Sequence, residues 1–446
     1  MQQLFRYMIE KTPELTKKDL QAAIKLLANG KMTSLLNKIN SQYAYWDKVK
    51  YMTPDDIDSK VLWQMVKLQR MLNAKHIKFG KYIFHFTITE QMLSLLHNFD
   101  MSLGGNIGAE CLIPERDKNF YLVSSIMEEA IASSQMEGAS TTRKVAKEML
   151  RKQQKPKDKS QQMIVNNYST IRYIMEHRED NFSVNKLKEI HKYIAYKTLD
   201  NPEDEGNIRT DNDIVVMNGI TGEIAHTPPP FEEIESLLED LCAFANNDNE
   251  NNFIHPIIKG IIIHFIFAFI HPFKDGNGRT ARSLIYLYLI KKSYWLTEYL
   301  SISRVIYRNK NQYEKAFLYT ENDDYDLSYF IQFNLVTMKK AYEELKLYLQ
   351  RKISERNSIM LFRGVPGINE RQAHILKIIT KKPNEIFTAK EIAMQFAVTD
   401  KTARTDLQGL VRIHLMNEIP LNNRVTGYMR ADDFEEVIKQ LSDKNI

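Results

Sequence analysis

Residues 271–282 read His-Pro-Phe-Lys-Asp-Gly-Asn-Gly-Arg-Thr-Ala-Arg, and this stretch decides how the rest of the chain is interpreted. It ends an apolar segment, residues 257–273, that predicts a buried helix, and Pro272 disfavours continuation of that helix. The turn 275–278 contains Gly and Asn residues that tolerate positive φ, so a new helix is expected to start near Arg279. The stretch therefore predicts a helix, a tight loop and a second helix.

The loop brings together groups that suit a phosphate ligand. Glycines before a helix N-terminus leave backbone N–H groups free to surround an anion, and the helix dipole favours negative charge there. Arg279 and Arg282 are three residues apart, so they share a helix face and can bind further phosphate oxygens. Asp275 is a lone carboxylate, the usual arrangement where Mg²⁺ takes its other ligands from substrate phosphates. His271 lies at the rim with a pKa suited to general-base work, so the sequence predicts a nucleotide-phosphate site with a metal ion and a base.

The stretch resembles the signature of the Fic family, His-Pro-Phe-x-Asp/Glu-Gly-Asn-Gly-Arg-x-x-Arg, and matches it at every restricted position. The resemblance implies a protein adenylyltransferase, which moves the AMP of ATP to a Ser, Thr or Tyr hydroxyl of a target protein. It implies that His271 is the catalytic base and that Asp275 holds Mg²⁺, with Asn277 on the α-phosphate. The ATP-binding residues that it implies are Gly276, Asn277, Gly278, Arg279 and Arg282.

A second motif resembles the inhibitory sequence of the same family, Ser/Thr-x-x-x-Glu-Gly/Asn. Residues 133–138 read Ser-Ser-Gln-Met-Glu-Gly, in which Ser133 and Glu137 share a helix face and Gly138 suits the position that ends a helix. The resemblance implies that Glu137 pairs with Arg282 and keeps it from the γ-phosphate. Inhibition is then intramolecular, and a role of Glu137 in removing AMP from the target stays open.

Residues 212–230 predict a β-hairpin, because β-branched runs flank Gly-containing turns and three prolines follow. Its place just before the signature resembles the flap of Fic proteins, which holds a target segment by strand-like backbone pairing. The resemblance therefore implies that Val215, Val216 and Met217 dock the target. An ordinary surface hairpin is the alternative.

Helical periodicity dominates elsewhere, so the expected fold is mainly α: a Fic helical core with a β-hairpin flap, and a C-terminal winged helix-turn-helix domain. The capping box that starts at Thr388 and the run 399–407 carry the resemblance to a winged helix. The expected domains are an N-terminal helical extension, a Fic core that includes the inhibitory helix, and the winged helix-turn-helix, at residues 1–112, 113–358 and 369–446.

DNA binding by the C-terminal domain is one of two open interpretations. Residues 369–430 contain 10 basic and 6 acidic side chains, a modest basic excess. Asp400 and Asp406 lie on or beside the helix that would enter the groove, which favours protein contacts or dimerisation instead. The residues placed for a major groove are Lys401, Arg404 and Thr405, with Arg424 placed for a phosphate.

Composition limits the class of protein. The 446 residues carry a net charge of +5, which is too small for one large polyanion-binding surface. Cys111 and Cys242 are too few for a disulfide framework or a Cys-rich zinc site, which favours a reducing compartment. Lys259, His264 and His271 interrupt the apolar window 257–273, and its uninterrupted stretches are far shorter than the roughly 20 residues of a membrane helix. We therefore expect a cytoplasmic protein without membrane contact.

Three functions remain to be distinguished. The first is a self-inhibited adenylyltransferase that uses ATP and Mg²⁺ and acts on a protein hydroxyl, as a monomer or a homodimer. The second is a DNA-binding regulator whose Fic region senses nucleotide, although sensing needs no base at His271. The third keeps the fold and uses another donor or removes AMP; Tyr286 stands where family members often have Asn, which leaves the base pocket undefined.

Overall fold

The protein is described by a computed structural model covering residues 4–5, 9–30, 32–104, 118–218, 222–248, 252–363, 367–396, 398–422 and 425–443. These residues are mainly helical, which confirms the predicted fold class. The chain divides into two compact units, Met1–Leu345 and Lys346–Ile446.

The helices and strands of the described residues have the following bounds. The helices are α1 (Lys17–Ala28), α2 (Thr33–Ser41), α3 (Trp46–Val49), α4 (Ser59–Met71), α5 (Glu90–Phe99), α6 (Lys118–Met136), α7 (Arg143–Arg151), α8 (Lys159–Glu176), α9 (Val184–Ala195), α10 (Phe231–Asn246), α11 (Pro256–Ile270), α12 (Asn277–Lys291), α13 (Ile302–Arg308), α14 (Lys310–Asn322), α15 (Ser328–Arg363), α16 (Glu370–Lys381), α17 (Ala389–Phe396), α18 (Asp400–Arg412) and α19 (Phe434–Asp443). The strands are β1 (Leu4–Phe5), β2 (Lys75–Phe79), β3 (Tyr82–Phe86), β4 (Val216–Asn218), β5 (Ile224–His226), β6 (Phe387–Thr388), β7 (Met416–Asn422) and β8 (Val425–Arg430).

Two buried helices, α11 and α12, form the centre of the first unit. Helix α11 has Pro256 at its first position and His255 as its N-cap, where the Nδ1 atom accepts a hydrogen bond from the N–H of Ile257 at 3.2 Å. It ends at His271, whose backbone is left-handed with φ 50°. Helix α12 then starts at Asn277, two residues before the predicted start, because Gly276 adopts φ 83° as its N-cap. The signature loop therefore connects two helices that are fixed by the core.

The N-terminal part of the first unit packs against α14 and the turn that precedes α15. Strand β3 pairs antiparallel with β2. The backbone of His85 also exchanges hydrogen bonds with Tyr325 and Leu327, at 3.2 and 2.8 Å. The ring of Tyr45 stacks on Tyr319 with centroids 4.1 Å apart. The aromatic side chains of this part therefore serve packing.

The hairpin predicted at residues 212–230 is present as β4 and β5. Residues 219–221, between the two strands, lie outside the described residues. Val216 is paired with His226 across the hairpin. On its other edge β4 pairs in parallel with β1, with Leu4 opposite Met217, so the sheet order is β1-β4-β5.

The second unit contains α16, α17 and α18 and a three-stranded sheet of order β6-β8-β7. The predicted capping box forms, since the N–H of Glu391 donates to Thr388 and the N–H of Thr388 donates to Glu391. Helix α17 starts directly after this capping box, and the run 399–407 forms the N-cap and first turns of α18. They surround one apolar cluster that includes Leu376, Ile392, Leu407 and Tyr428.

The described residues allow two expectations to be examined, the absence of a membrane-spanning helix and the state of the cysteine thiols. None of the helices there has the length and apolarity that a membrane crossing requires. Burial, with the nearby charge of Glu239, raises the pKa of Cys242 to about 12, so this thiol is protonated at neutral pH. Cys111 lies outside the described residues.

Candidate functional site

His271 occupies the C-terminal end of α11 as its left-handed cap. The sequence predicts a rim position with a pKa suited to general-base work, but the side chain is only 7% exposed. Burial, followed by the charge of nearby His226, lowers the pKa of His271 to about 3. Its Nδ1 atom lies 3.2 Å from the carbonyl oxygen of Ala268, which only accepts, so Nδ1 carries the proton. The Nε2 atom of the neutral ring is therefore left with a lone pair for a substrate proton.

The loop after His271 is closed by the side chain of Asn277. Its Oδ1 atom accepts from the N–H of Phe273 at 3.0 Å, and its Nδ2 atom donates to the carbonyl of Phe273 at 2.7 Å. The resemblance assigns Asn277 to the α-phosphate, whereas both polar ends of this amide are used inside the loop. Thr280 adds a hydrogen bond from its hydroxyl to the carbonyl of Gly276 at 2.9 Å. The backbone N–H groups of the first turn of α12 thus remain the anion-facing groups of this segment.

His191 is a functional neighbour that the sequence analysis missed. It lies on α9 and stacks on Phe273 with ring centroids 3.7 Å apart. Its Nε2 atom lies 2.8 Å from the carbonyl of Asp275, while its Nδ1 atom accepts from the N–H of Gly206 at 3.0 Å. Burial lowers the pKa of His191 to about 4, which keeps this arrangement neutral. A buried histidine on an amphipathic helix carries no sequence signal that separates it from an ordinary core residue.

The two arginines of the signature are buried in different surroundings. Arg279 is 1% exposed and donates from Nη1 to the carbonyl of Ile194 at 3.0 Å. Arg282 is 2% exposed and donates from Nε to the hydroxyl of Ser133 and from Nη2 to the carbonyl of Ser133, both at 2.9 Å. The Nε atom of Arg279 and the Nη1 atom of Arg282 find no hydrogen-bond partner among the described residues. Buried donors without partners are costly, so each arginine has capacity for an anionic ligand.

The motif at 133–138 lies directly on this site. Glu137 accepts from Nη2 of Arg282 at 2.9 Å, which is the ion pair that the resemblance implies. Gly138 follows the end of α6 in the left-handed region at φ 92°, where a side chain would be strained. Lys310 donates from Nζ to the carbonyl of Met136 at 2.9 Å and thereby holds the C-terminal end of α6. Ser133 and Glu137 thus both bind Arg282, and Gly138 ends the motif directly after them.

The electrostatics of this contact favour the ionised pair. Burial opposes ionisation of Glu137, but the charge and the hydrogen bond of Arg282 outweigh it and hold the pKa of Glu137 below its usual value. Burial likewise opposes the charge of Arg282, but Glu137 outweighs it, and the pKa of Arg282 is raised. For Arg279, burial dominates over the attraction of Asp275 and Glu137 and lowers the pKa.

A cleft opens beside His271. The first turn of α12, the end of α6, helix α14 and the flap hairpin all contribute to its walls. Its lining residues are Met136, Glu137, Val216, His226, Ala268, Phe269, His271, Gly278, Lys310, Tyr313, Glu314, Phe317 and Glu321. The structure therefore brings the base, the anion-facing turn, the inhibitory motif and Val216 of the flap to one cavity.

Asp275 is the single carboxylate of the signature loop. It is half-buried, and its Oδ1 atom accepts from the N–H of Gly276 at 2.6 Å. Within the described ranges, no group of three or more His, Cys, Asp or Glu side chains is placed to hold a metal ion. One hard oxygen donor beside an anion site fits Mg²⁺, which takes few protein ligands and uses substrate phosphates for the rest.

Tyr286, the departure from the family pattern, is buried in α12. Its hydroxyl donates to the carbonyl of Leu300 at 3.1 Å and accepts from the N–H of Ile302 at 2.9 Å. This hydroxyl thus connects Leu300, which precedes α13, to Ile302, the first residue of α13. Tyr286 is absent from the lining of the cleft among the described residues, so it serves packing here.

The sequence around the signature is similar to that of known proteins. Residues 181–289 match the sequence model of the Fic/DOC family. The chain is 30% identical over 121 residues to Protein adenylyltransferase fic-1 from Caenorhabditis elegans, covering 27% of this chain and 22% of the relative. It is 31% identical over 90 residues to a probable protein adenylyltransferase from Aquifex aeolicus (strain VF5), covering 20% of this chain and 25% of the relative. The chain thus spans about a quarter or less of the length of these relatives.

The fold is similar to that of a solved structure. A Fic family protein from Desulfovibrio desulfuricans G20 superimposes with a TM-score of 0.50 at 19% identity, covering 78% of this chain and 97% of that chain. At this identity the likeness concerns the fold. Together with the matched residues and the loop geometry, it leads to one conclusion: residues 181–289 of this chain are a Fic domain of the Fic/DOC family.

Proposed function

We propose that the chain is a protein adenylyltransferase that transfers AMP from ATP to a Ser, Thr or Tyr hydroxyl of a target protein. The observation that carries this proposal is the convergence of a neutral His271 with a helix N-terminus and two buried arginines that retain unpartnered donors. A nucleotide sensor needs the anion-binding groups and has no use for a base. The relatives that match this chain are named as adenylyltransferases, which supports the same choice.

His271 is the proposed base. With its pKa lowered to about 3, the ring is neutral at pH 7 and its Nε2 atom can accept a proton. The target hydroxyl loses its proton to Nε2 as its oxygen bonds to the α-phosphorus, and the bond to the β-phosphate oxygen breaks to release pyrophosphate. The left-handed cap, fixed through Arg209, holds the ring in place, since Nε of Arg209 donates to the carbonyl of His271 at 3.1 Å.

The phosphates are assigned to the first turn of α12 and to its two arginines. The backbone N–H groups of Asn277 and Gly278 are assigned to the phosphate oxygens, in line with the helix dipole, while Gly276 supplies the left-handed turn and its N–H donates to Asp275. Arg279 offers its free Nε donor to the β-phosphate, and Arg282 is assigned to the γ-phosphate through the donors that Ser133 and Glu137 occupy here. Asp275 would hold Mg²⁺, which would neutralise phosphate charge when bound.

The proposed brake is the ion pair between Glu137 and Arg282. While Glu137 and Ser133 bind this guanidinium, Arg282 cannot bind a γ-phosphate with the same groups. ATP can then enter only in a non-productive pose. Removal of Glu137 frees the arginine without touching the base or the loop, because Glu137 lies in the turn that directly follows α6.

Transfer of label from [α-³²P]ATP into protein tests both roles. The variant Glu137→Gly is expected to incorporate more AMP than the wild type, and the double variant Glu137→Gly/His271→Ala is expected to lose at least about 10²-fold of that transfer while it keeps ATP binding. Equal incorporation by wild type and Glu137→Gly contradicts the brake. Transfer that survives His271→Ala contradicts the base.

The flap is the proposed docking place of the target segment, through Val215, Val216 and Met217. Strand β4 already accepts an extended segment on its outer edge, because Leu4 and Phe5 pair with it in parallel. Val216 lines the cleft beside His271, so a segment on this edge passes close to the base. A protein target therefore has to displace residues 4–5 or extend the pairing beyond them.

Two related activities use the same residues. Another nucleotide donor would use the same phosphate-binding residues and would differ in its contacts to the nucleobase pocket. Removal of AMP requires Glu137 to activate water. The same carboxylate is therefore needed for AMP removal and inhibits AMP transfer. Mass spectrometry of the product of Glu137→Gly with ATP identifies the donor, and release of AMP from modified protein by the wild type identifies the reverse activity.

For the C-terminal unit we propose DNA binding through α18. Asp406, which the sequence sets against DNA, is buried and bound by Arg371 at 2.7 Å, so it does not oppose phosphates. Lys401, Arg404 and Thr405 are exposed, whereas Arg424 lies outside the described residues. The alternative use of this unit is dimerisation.

A mobility-shift assay of the full chain with a salt titration tests this role. Lys401→Glu/Arg404→Glu is expected to lose DNA retardation, while Lys439→Glu on the exposed face of α19 retains it. No retardation of the wild type at low salt contradicts the proposal and leaves dimerisation, which analytical ultracentrifugation measures.

A further inference from the structure

His226 is the one histidine of the flap hairpin, and both nitrogens of its ring face acceptors. Its Nδ1 atom lies 2.8 Å from Oε2 of Glu321, and its Nε2 atom lies 2.8 Å from the carbonyl oxygen of Phe269. Neither a carboxylate at neutral pH nor a carbonyl can donate a hydrogen bond. The two short contacts are both satisfied only when the ring is an imidazolium.

The partners of His226 belong to two elements outside the hairpin. Phe269 lies in the last turn of α11, two residues before His271, and Glu321 lies in the last turn of α14. Across the hairpin His226 is paired with Val216, the proposed docking residue. One buried side chain thus ties the docking strand to the helix end that carries the base.

We propose that His226, held as an imidazolium between Glu321 and the carbonyl of Phe269, is a positioning residue that sets the flap at a fixed distance from His271. This rests on the proposed function. The contact orients the protein substrate and does not touch the phosphate site, which is built from α12 and α6. Its loss is therefore expected to lower the rate of transfer at saturating ATP and to leave the KM for ATP unchanged.

The charged and titratable groups that face His226 come from three parts of the chain. Glu321 of α14 is the anionic partner, Arg209 precedes the hairpin, and His271 ends α11. Burial opposes the charge of His226, but Glu321 outweighs it and raises the pKa of His226. The tie is therefore complete on the acid side and is lost as pH rises through this raised pKa, which predicts slower transfer in alkaline buffer.

The kinetic test uses the full-length Glu137→Gly chain and its self-modification from labelled ATP. Adding His226→Gln is expected to lower kcat by about 10-fold or more, because a small displacement of a reacting group costs that much, while the KM for ATP stays within about 2-fold. Adding Glu321→Gln keeps an acceptor and is expected to give a smaller loss and to flatten the alkaline fall in rate.

His255→Gln is the matched control. His255 also joins a carboxylate, with Nε2 3.0 Å from Asp100, but it lies at the opposite end of α11. It is expected to leave kcat and the KM for ATP unchanged. An equal loss in His255→Gln, or a loss in His226→Gln that appears in the KM for ATP, overturns the positioning role.

Nitrogen NMR of ¹⁵N-histidine-labelled wild type tests the charge without any activity. The resonances that disappear in His226→Gln are expected to be those of a doubly protonated ring at pH 7.5. A neutral ring with one protonated nitrogen overturns the proposal. If Glu137→Gly transfers no AMP while the ring is doubly protonated, the proposed function fails and the structural tie stands.

Discussion

Arg279 and Arg282 are three residues apart on one helix, equally buried, and yet held in different ways. Arg282 has an anionic partner in Glu137 and two further acceptors in Ser133, whereas Arg279 has the neutral carbonyl of Ile194. The pKa of Arg282 is accordingly raised and that of Arg279 is lowered. Arg279 therefore lacks an anionic partner until a ligand binds, whereas in Arg282 the carboxylate of Glu137 takes the place of an anionic ligand.

The largest expected difference between them is in stability. Arg282→Leu leaves the carboxylate of Glu137, whose side chain is 14% exposed, without its partner and is expected to cost about 3 kcal/mol of the free energy of unfolding. Arg279→Leu removes a poorly compensated charge and is expected to cost less than about 1 kcal/mol. Urea unfolding followed by tryptophan fluorescence measures this, because Trp46, Trp63 and Trp295 all lie in the first unit.

A double-mutant cycle controls that result. Arg282→Leu/Glu137→Leu removes both charges and is expected to recover most of the lost stability. If the double variant is as unstable as Arg282→Leu, the cost comes from lost packing and the ion pair is not its cause.

The next largest effect is the stabilisation by ATP. At a concentration of 100 Kd a ligand of the native state adds about 2.7 kcal/mol to the free energy of unfolding. Glu137→Gly is expected to show this gain with ATP, and Glu137→Gly/Arg279→Leu is expected to lose it, because the uncompensated arginine is the one that needs the anion. Thermal unfolding with and without ATP measures the gain. An unchanged gain after Arg279→Leu would show that this arginine makes no phosphate contact.

The smallest effect is the pH dependence of the pair. Because the pKa of Glu137 is lowered in the folded state, its contribution to stability is present above the unfolded pKa and is lost as pH falls through the folded value. The stability difference between wild type and Glu137→Gln is therefore expected to be constant from neutral pH down to the ordinary range of a glutamate and to shrink only in more acidic buffer. Parallel urea titrations at several pH values measure it. A difference that already shrinks near pH 7 contradicts the lowered pKa.

Local sequence predicted the two helices around the loop, and the structure contains both. Pro272 and the glycines act on their own backbone, so their effect does not depend on distant residues. The start of α12 was misplaced by two residues, because Gly276 takes the N-cap with φ 83°. The first residue of the helix depends on which loop residue adopts the left-handed conformation, and several residues of this loop tolerate it.

The polar environment of the site was predicted less well. His271 is more buried than its position in the sequence indicates, and its pKa is lowered first by this burial and then by His226 and Arg209, which lie far away in the chain. Asn277 bonds to Phe273 because the loop folds back on itself. The sequence did not predict roles for His191 and His226, because these roles depend on contacts with other helices and loops.

The sequence by itself determined the inventory of the site: a histidine, a carboxylate, a glycine loop and two arginines at fixed spacings, which are set by helical geometry and turn chemistry. The tertiary structure alone decided which arginine is neutralised and which nitrogen of each histidine carries a proton. The physical reason is that charge states inside a protein depend on burial and on through-space neighbours, and these neighbours come from α6, α9, α14 and the flap rather than from the signature itself.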